Sequence, residues 1–316
     1  MGINKVSMRD VYGDELVKLG EVYPDLAVLD ADVSSSTKTV FFSRKYPERF
    51  FNVGVAEANM VDIAAGLALS GVRVIANSFA VFLTLKAMEQ IRNVVCYNNL
   101  PVILTGSYAG LSDSYDGASH QAIEDIAIMR AIPNLNVVVP ADAEELRVAL
   151  SEIMRLSKPT YLRICRNPTP VLFNSGNIAF TFGKIQTMRR GKDVTIAACG
   201  ITVAIALEAV ERLSASGISV ELLNVSTIKP LDKDTLIDSV KKTNCLLAVE
   251  EHSVLGGLGS AIAEVLGKEY PAVMDYVGIP DTFTETGGYE ELLDKYQVST
   301  DVIIRKVQIL IQSKSS

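Results

Sequence analysis

The feature that most constrains this chain is an alternation. Short runs of β-branched and aromatic residues are followed, again and again, by stretches with one-face helical spacing. Strand candidates in the first half are "LAVLDAD", "RFFNVGV", "VRVIANSF", "LPVILTGS", "LNVVVPAD" and "PTYLRIC". Between them lie the helix candidates "DVYGDELVKLGEVY", "LKAMEQIRNVVCYN", "EDIAIMRAI" and "AEELRVALSEIMRL". Repeated βα units bury a mainly parallel sheet between helices, so the fold class is α/β.

The pattern breaks once, over "RNPTPVLFNSGNIAFTFGKIQTMRRGKD", which has Pro, Gly and Asn and no sustained period. It restarts with "DVTIAACG", "SVELLNVSTI" and "CLLAVEEH" as strands and "TVAIALEAVERLSAS" and "KDTLIDSVKKT" as helices. A length of 316 residues suits about two domains. The expected division is residues 1–170, a connection over 171–190, and a smaller α/β unit over 191–316.

Composition narrows the partners. The net charge of −7 and the lack of a long basic run argue against nucleic acid. No apolar run is long enough to span a bilayer, and "MGINKVSMRD" has no apolar signal core, so a cytoplasmic location is expected. Cys96, Cys165, Cys199 and Cys245 are far apart, show no metal spacing and lie in apolar stretches. They read as buried free thiols.

The polar residues of the first half collect just after the strands, in "DADVSSST", "GVAE", "SFAVF", "GSYAGLSDSYDGASHQ" and "CRNP". In an open parallel sheet these loops share one rim, where ligands bind. Glu57 lies on that rim, three residues before Met60 and seven before Ala64, on the apolar side of its helix. It reads equally as a first-turn glutamate turned to solvent or as a buried carboxylate facing a ligand.

Taken in order, "DADVSSSTK", "FFNVGVAEANM", "SFAVF" and "DGASHQAIED" resemble the pyrimidine-binding domain of transketolases. "AVEEHSVLGGLGSAIAEVL" is similar to that family's C-terminal domain. Full-length members carry a further N-terminal domain with a Gly-Asp-Gly motif that binds the cofactor's diphosphate and metal; no such motif is present here. The resemblance therefore implies the C-terminal subunit of a split transketolase. Its cofactor is thiamine diphosphate, with Mg2+ or Ca2+ held by an N-terminal partner subunit in a heterotetramer of two copies of each chain.

The resemblance also implies roles for individual residues. Glu57 meets the aminopyrimidine ring and shares a proton with a ring nitrogen, which favours the imino form and requires a dry site. Phe79, Phe82 and Val55 surround the ring, and Asp32 lies near the cofactor at the subunit junction. His120 contacts the substrate near the reacting carbonyl and assists proton movement. Asp116 bonds a sugar hydroxyl, while Arg9, Ser36 and Arg166 hold the far phosphate of a ketose or aldose. Each has a plainer reading: core for the phenylalanines, a cap or turn for the aspartates, a solvated helix residue for Arg9 and a linker-edge charge for Arg166.

The sequence departs from the family at Tyr108, where histidine is common, and at Ser114 and Tyr115, where glycine and an acidic residue are usual. These changes leave the sugars open. Other readings are the beta subunit of a 2-oxo-acid dehydrogenase, a deoxyxylulose-phosphate synthase fragment and a non-catalytic transketolase-like scaffold. Gly256, Gly257 and Gly259 before a helix also permit a nucleotide site, although close helix packing explains them as well. His252 reads as structural.

Overall fold

A computed structural model of the chain describes residues 4–173 and 180–314. Each half is built on its own sheet. Across the first sheet the strands run Thr227–Lys229, Asn136–Val138, Thr160–Ile164, Val102–Ser107, Arg73–Phe79, Leu26–Asp30 and Phe50–Asn52. All pair in parallel except Thr227–Lys229, which runs antiparallel to Asn136–Val138. The second sheet runs Val273–Ile279, Cys245–Ser253, Val194–Ala198, Val220–Asn224 and Gln186–Arg189, the last of these antiparallel. The two-domain α/β architecture expected from the alternation is the one present.

The strand order places the chemistry. After Leu26–Asp30 the chain goes to Phe50–Asn52 on one side, then crosses to Arg73–Phe79 on the other. That reversal opens a crevice at the carboxyl ends of these strands, the place where open α/β sheets bind ligands. The core strands are buried along their whole length, as parallel strands covered on both faces must be. Four apolar clusters of buried residues pack on the sheets, the largest joining both halves. All four cysteines are buried free thiols, and burial pushes Cys96 and Cys165 up to about 12. Among the described residues no helix is long and apolar enough to cross a membrane.

Three local expectations differ from the structure. The strand expected over "RFFNVGV" stops at Asn52, because the Asn52 side chain accepts the Gly54 N–H at 3.0 Å and Gly54 turns with φ +75°. The stretch 171–190 read as a connection contains the strand Gln186–Arg189, which closes the edge of the second sheet. The run "SVELLNVSTI" is two strands, and the second of them, Thr227–Lys229, joins the sheet of the first half.

Candidate active site at the strand-end rim

Glu57 is the first residue of the helix Glu57–Leu69 and is only 2% exposed. Met60, Val61, Ala64 and Ala65 bury the same face, while Asn59, Asp62 and Ile63 meet solvent. Helix register therefore carries the carboxylate inward. Its Oε1 accepts from the Ser78 hydroxyl at 3.2 Å. Its Oε2 lies against the Lys86 ammonium but accepts no hydrogen bond among the described residues. A hydroxyl and a half-exposed lysine answer this buried carboxylate, which leaves it able to take a further donor.

From Lys86 a row of rings leads along the rim. The Lys86 ammonium sits 5.3 Å from the Phe82 ring centre. Phe82 stacks near-parallel to Phe79 at 5.9 Å, and Phe79 stacks on Tyr108 at 4.2 Å. His120 stands edge-on to Phe82 at 5.0 Å, with its Nδ1 3.0 Å from the Ser119 hydroxyl. Tyr108 is held in the left-handed region, φ +62°, a conformation that a bulky residue adopts at a cost and that functional sites often contain.

Tyr108 is also where the positive charge gathers. Arg9 donates from Nη1 to the Tyr108 hydroxyl at 2.7 Å and to the Ser36 carbonyl at 2.7 Å, and from Nε to the Arg166 carbonyl at 3.0 Å. The guanidinium carbons of Arg9 and Arg166 lie 4.9 Å and 5.1 Å from the Tyr108 ring centre. Arg9 projects from the helix Met8–Val22, whose start is capped by the Ser7 hydroxyl. Four separate elements thus converge, and Arg9, Ser36, Tyr108 and Arg166 form one cluster.

Asp32 and Val55 stand apart from this row. Asp32 is exposed and accepts from the Asn52 side chain at 2.8 Å. Val55 is 71% exposed, so within this chain it walls nothing. Asp116 is exposed at the turn before Gly117.

Several residues that build the site carried no sequence signal. Asp30 is buried and accepts from the Val33 N–H at 2.7 Å and from the Thr37 and Thr39 hydroxyls at 2.8 Å each, which fixes the loop bearing Asp32 and Ser36. Asp113 is fully buried; among the described residues neither of its oxygens accepts a hydrogen bond, the Asp116 carboxyl lies nearby, and the cation facing it is Arg166 at 3.6 Å. The second half holds the loop 108–121 from outside. Glu251 accepts from the Leu111 N–H at 2.9 Å, the Glu285 carbonyl accepts from Gln121 at 3.0 Å, and the Gly287 N–H donates to the Ser114 carbonyl at 3.1 Å. Burial pushes the Glu251 carboxyl up to about 7 despite the nearby Arg163.

His252, read as structural, and the glycine-flanked helix both belong to the packing. His252 is buried, accepts from the Ala127 N–H at 3.2 Å through Nε2, and lies 2.7 Å from the Ser253 carbonyl through Nδ1. The glycine-flanked helix Leu258–Glu269 has its leading amides taken by the Glu250 carboxylate, at 2.7 Å from Leu258 and 2.9 Å from Gly259. A side chain at Gly257 would come within 2.0 Å of Glu250, so this end is a protein contact and leaves no room for a phosphate.

Two α/β units thus carry a buried glutamate beside stacked aromatics at a strand-order reversal, with two arginines further along the rim. Residues 4–171 match the transketolase pyrimidine-binding domain and residues 183–303 the transketolase C-terminal domain, and the chain belongs to the transketolase family. It is 42% identical over 95% of both chains to a Methanocaldococcus jannaschii protein provisionally named as a transketolase C-terminal section. It is 39% identical to the 6-deoxy-6-sulfo-D-fructose transketolase subunit of a Clostridium species, over 98% of this chain and 95% of that one. Among solved structures it is similar to a split-gene transketolase described as an inactive β4 tetramer, with a TM-score of 0.91 and 43% identity over 97% of this chain and 99% of that one.

Proposed function

We propose that this chain supplies the pyrimidine side of a thiamine diphosphate-dependent transketolase site. The reaction moves a two-carbon ketol unit from a ketose with an anionic tail to an aldehyde acceptor. A second, N-terminal chain completes the site with the diphosphate and metal pockets, in an assembly with two copies of each chain. The observation that carries this reading is Glu57: 2% exposed and, among the described residues, answered by only the Ser78 hydroxyl and the half-exposed Lys86.

The residues present fit the cofactor's ring. A donor on a flat ring would satisfy Glu57 Oε2, and Phe79 and Phe82 offer apolar faces beside it. Thiamine diphosphate, when bound, supplies the nucleophilic carbon that a carbonyl substrate needs. Glu57 would hold and share a proton at the ring nitrogen, and the dry pocket strengthens that bond. The Val55 side chain, 71% exposed, would be covered by the ring and by the partner chain. Asp32 would meet the cofactor at the same junction. Further along, His120 would orient the substrate carbonyl and move a proton there, Asp116 would bond a sugar hydroxyl, and Tyr108 would replace a titrating imidazole with a phenol that donates and accepts. Arg9, Arg166 and Ser36 would hold the tail.

Two likenesses support the reading. A relative named for a ketose bearing a sulfonate is similar over nearly its whole length, which fits a site with an anionic tail. The solved tetramer of like chains is described as inactive, which fits a need for a second kind of chain. The test is to purify this chain with an N-terminal transketolase chain and add thiamine diphosphate, Mg2+ and a panel of ketose phosphates and sulfonates. Transfer should require both chains. Glu57→Gln should lower it at least about a hundredfold, the lower end for losing a proton-transfer group, while leaving assembly intact. Full activity in that variant would end the assignment of Glu57.

A further inference from the structure

Asp113 takes no part in the function proposed above, yet its burial needs an explanation. Its side chain is fully buried, and among the described residues neither oxygen accepts a hydrogen bond. Carboxylates so enclosed are normally bonded or paired closely. The cation facing Asp113 is Arg166, at 3.6 Å, too long for a charge-assisted hydrogen bond. The Arg166 guanidinium is thereby left with donors for a ligand, while its charge is partly answered. Arg9 is the second cation, joined to Arg166 through the Tyr108 ring and through its own bond to the Arg166 carbonyl.

We propose that Asp113 selects the charge of the substrate's tail. By facing Arg166 from a buried position, it reduces the positive charge that the Arg9–Arg166 pair presents, so the site favours a tail with one negative charge over a fully ionised phosphate. A sulfonate carries one charge at every working pH, whereas a phosphate ester carries about two above roughly pH 6. The inference rests on the reading that Arg9 and Arg166 hold the tail.

The charges around Asp113 support a pH dependence. Burial raises its carboxyl to about 7; the adjacent Asp116 adds to this, and Arg166 and Arg9 oppose it. From the second half, Glu251 reaches the same loop at Leu111, and Tyr289 bonds Glu251 at 2.9 Å. At the far end of the loop stands His120. Below its titration Asp113 is neutral and the arginine pair presents its full charge. Above it Asp113 is negative, and a second charge on the tail is penalised.

The experiment uses the assembled enzyme with its partner chain, thiamine diphosphate and Mg2+. Matched ketoses with a sulfonate, a phosphate or an uncharged tail are compared from pH 6.5 to 8.5. In the wild type, kcat/KM for the sulfonate relative to the phosphate should rise with pH by about tenfold, a modest value for one charge interaction in a partly wet site. Asp113→Asn should flatten that rise and improve the phosphate ketose by a similar factor at pH 8.5, through KM. If the wild type does not prefer charged over uncharged tails, the arginine reading fails, and this inference with it. If charged tails are preferred but their ratio is flat with pH and unmoved in Asp113→Asn, only the role of Asp113 fails. Equal changes for both tails would mark it as structural and overturn the proposal.

Discussion

Glu57 and Asp125 are both buried carboxylates, and each opens the first turn of a helix on the same rim. Their surroundings differ. Asp125 receives Arg163 through two nitrogens, at 2.7 Å and 3.1 Å, and the Tyr161 hydroxyl at 2.7 Å. The Arg163 Nη2 also reaches the Ala122 and Glu251 carbonyls, at 3.2 Å and 3.0 Å. Burial alone would raise the Asp125 carboxyl, but Arg163 holds it below the usual range. Glu57 has one neutral hydroxyl and a lysine whose side chain is 45% exposed. One carboxylate is completed by its own chain; the other is left incomplete. A buried carboxylate met by a guanidinium and a phenol is architecture, whereas one with fewer partners beside the strand-end rim is a candidate site.

The contrast breaks most easily at Arg163. Arg163→Met strands Asp125 and should cost about 3–5 kcal/mol, the usual result of removing one partner from a buried pair. Glu57→Gln should leave the melting temperature unchanged or higher. Denaturant unfolding of both variants checks this, and equal losses would erase the distinction. Replacing both Asp125 by Asn and Arg163 by Met should recover part of the stability lost in the single variant.

The next effect is graded by pH. Glu251 is raised to about 7, chiefly by burial, so the folded state keeps its proton where the unfolded chain has lost it. Its contribution to stability is complete below the ordinary glutamate range and is lost as pH rises toward 7. The slope is at most about 1.4 kcal/mol per pH unit. Glu251→Gln should therefore lose less stability than the wild type between pH 5 and 7.5, as read by thermal melts. An identical slope would show that Glu251 does not titrate across that window.

The smallest effect belongs to Lys86. Because its side chain is 45% exposed, Lys86→Met should change stability by less than about 1 kcal/mol. A larger loss in chemical denaturation would mean that Glu57 is already completed by its own chain, contrary to the comparison.

The same contrast explains what could be read from the sequence. The alternation gives the α/β class because a period of two and a period of 3.6 are local properties. Glu57, the two phenylalanines and Arg166 sit in strand-end loops, which topology brings to one rim, whereas Arg9, on the helix Met8–Val22, stood out through the family resemblance alone. Asp113 did not stand out. It lies in "SDSYDG", a string that reads as an exposed loop, and it is buried only where the second half packs on that loop through Glu251 and Gly287. The completing role of Arg163 was hidden for the same reason, since its partners are 38 and 88 residues away in the chain. Val55, which the resemblance sets against the ring, is 71% exposed in this chain.

The strand Thr227–Lys229 has a consequence for how the protein is made. Its partner, Asn136–Val138, is translated some ninety residues earlier, and the Lys229 ammonium caps the Arg130 and Ile132 carbonyls beside it. A nascent chain that has left the ribosome only through its first half therefore has a raw sheet margin. Until the later residues emerge, that margin is left open to mispairing, and a fragment ending between the halves would carry an unpaired edge at Asn136–Val138.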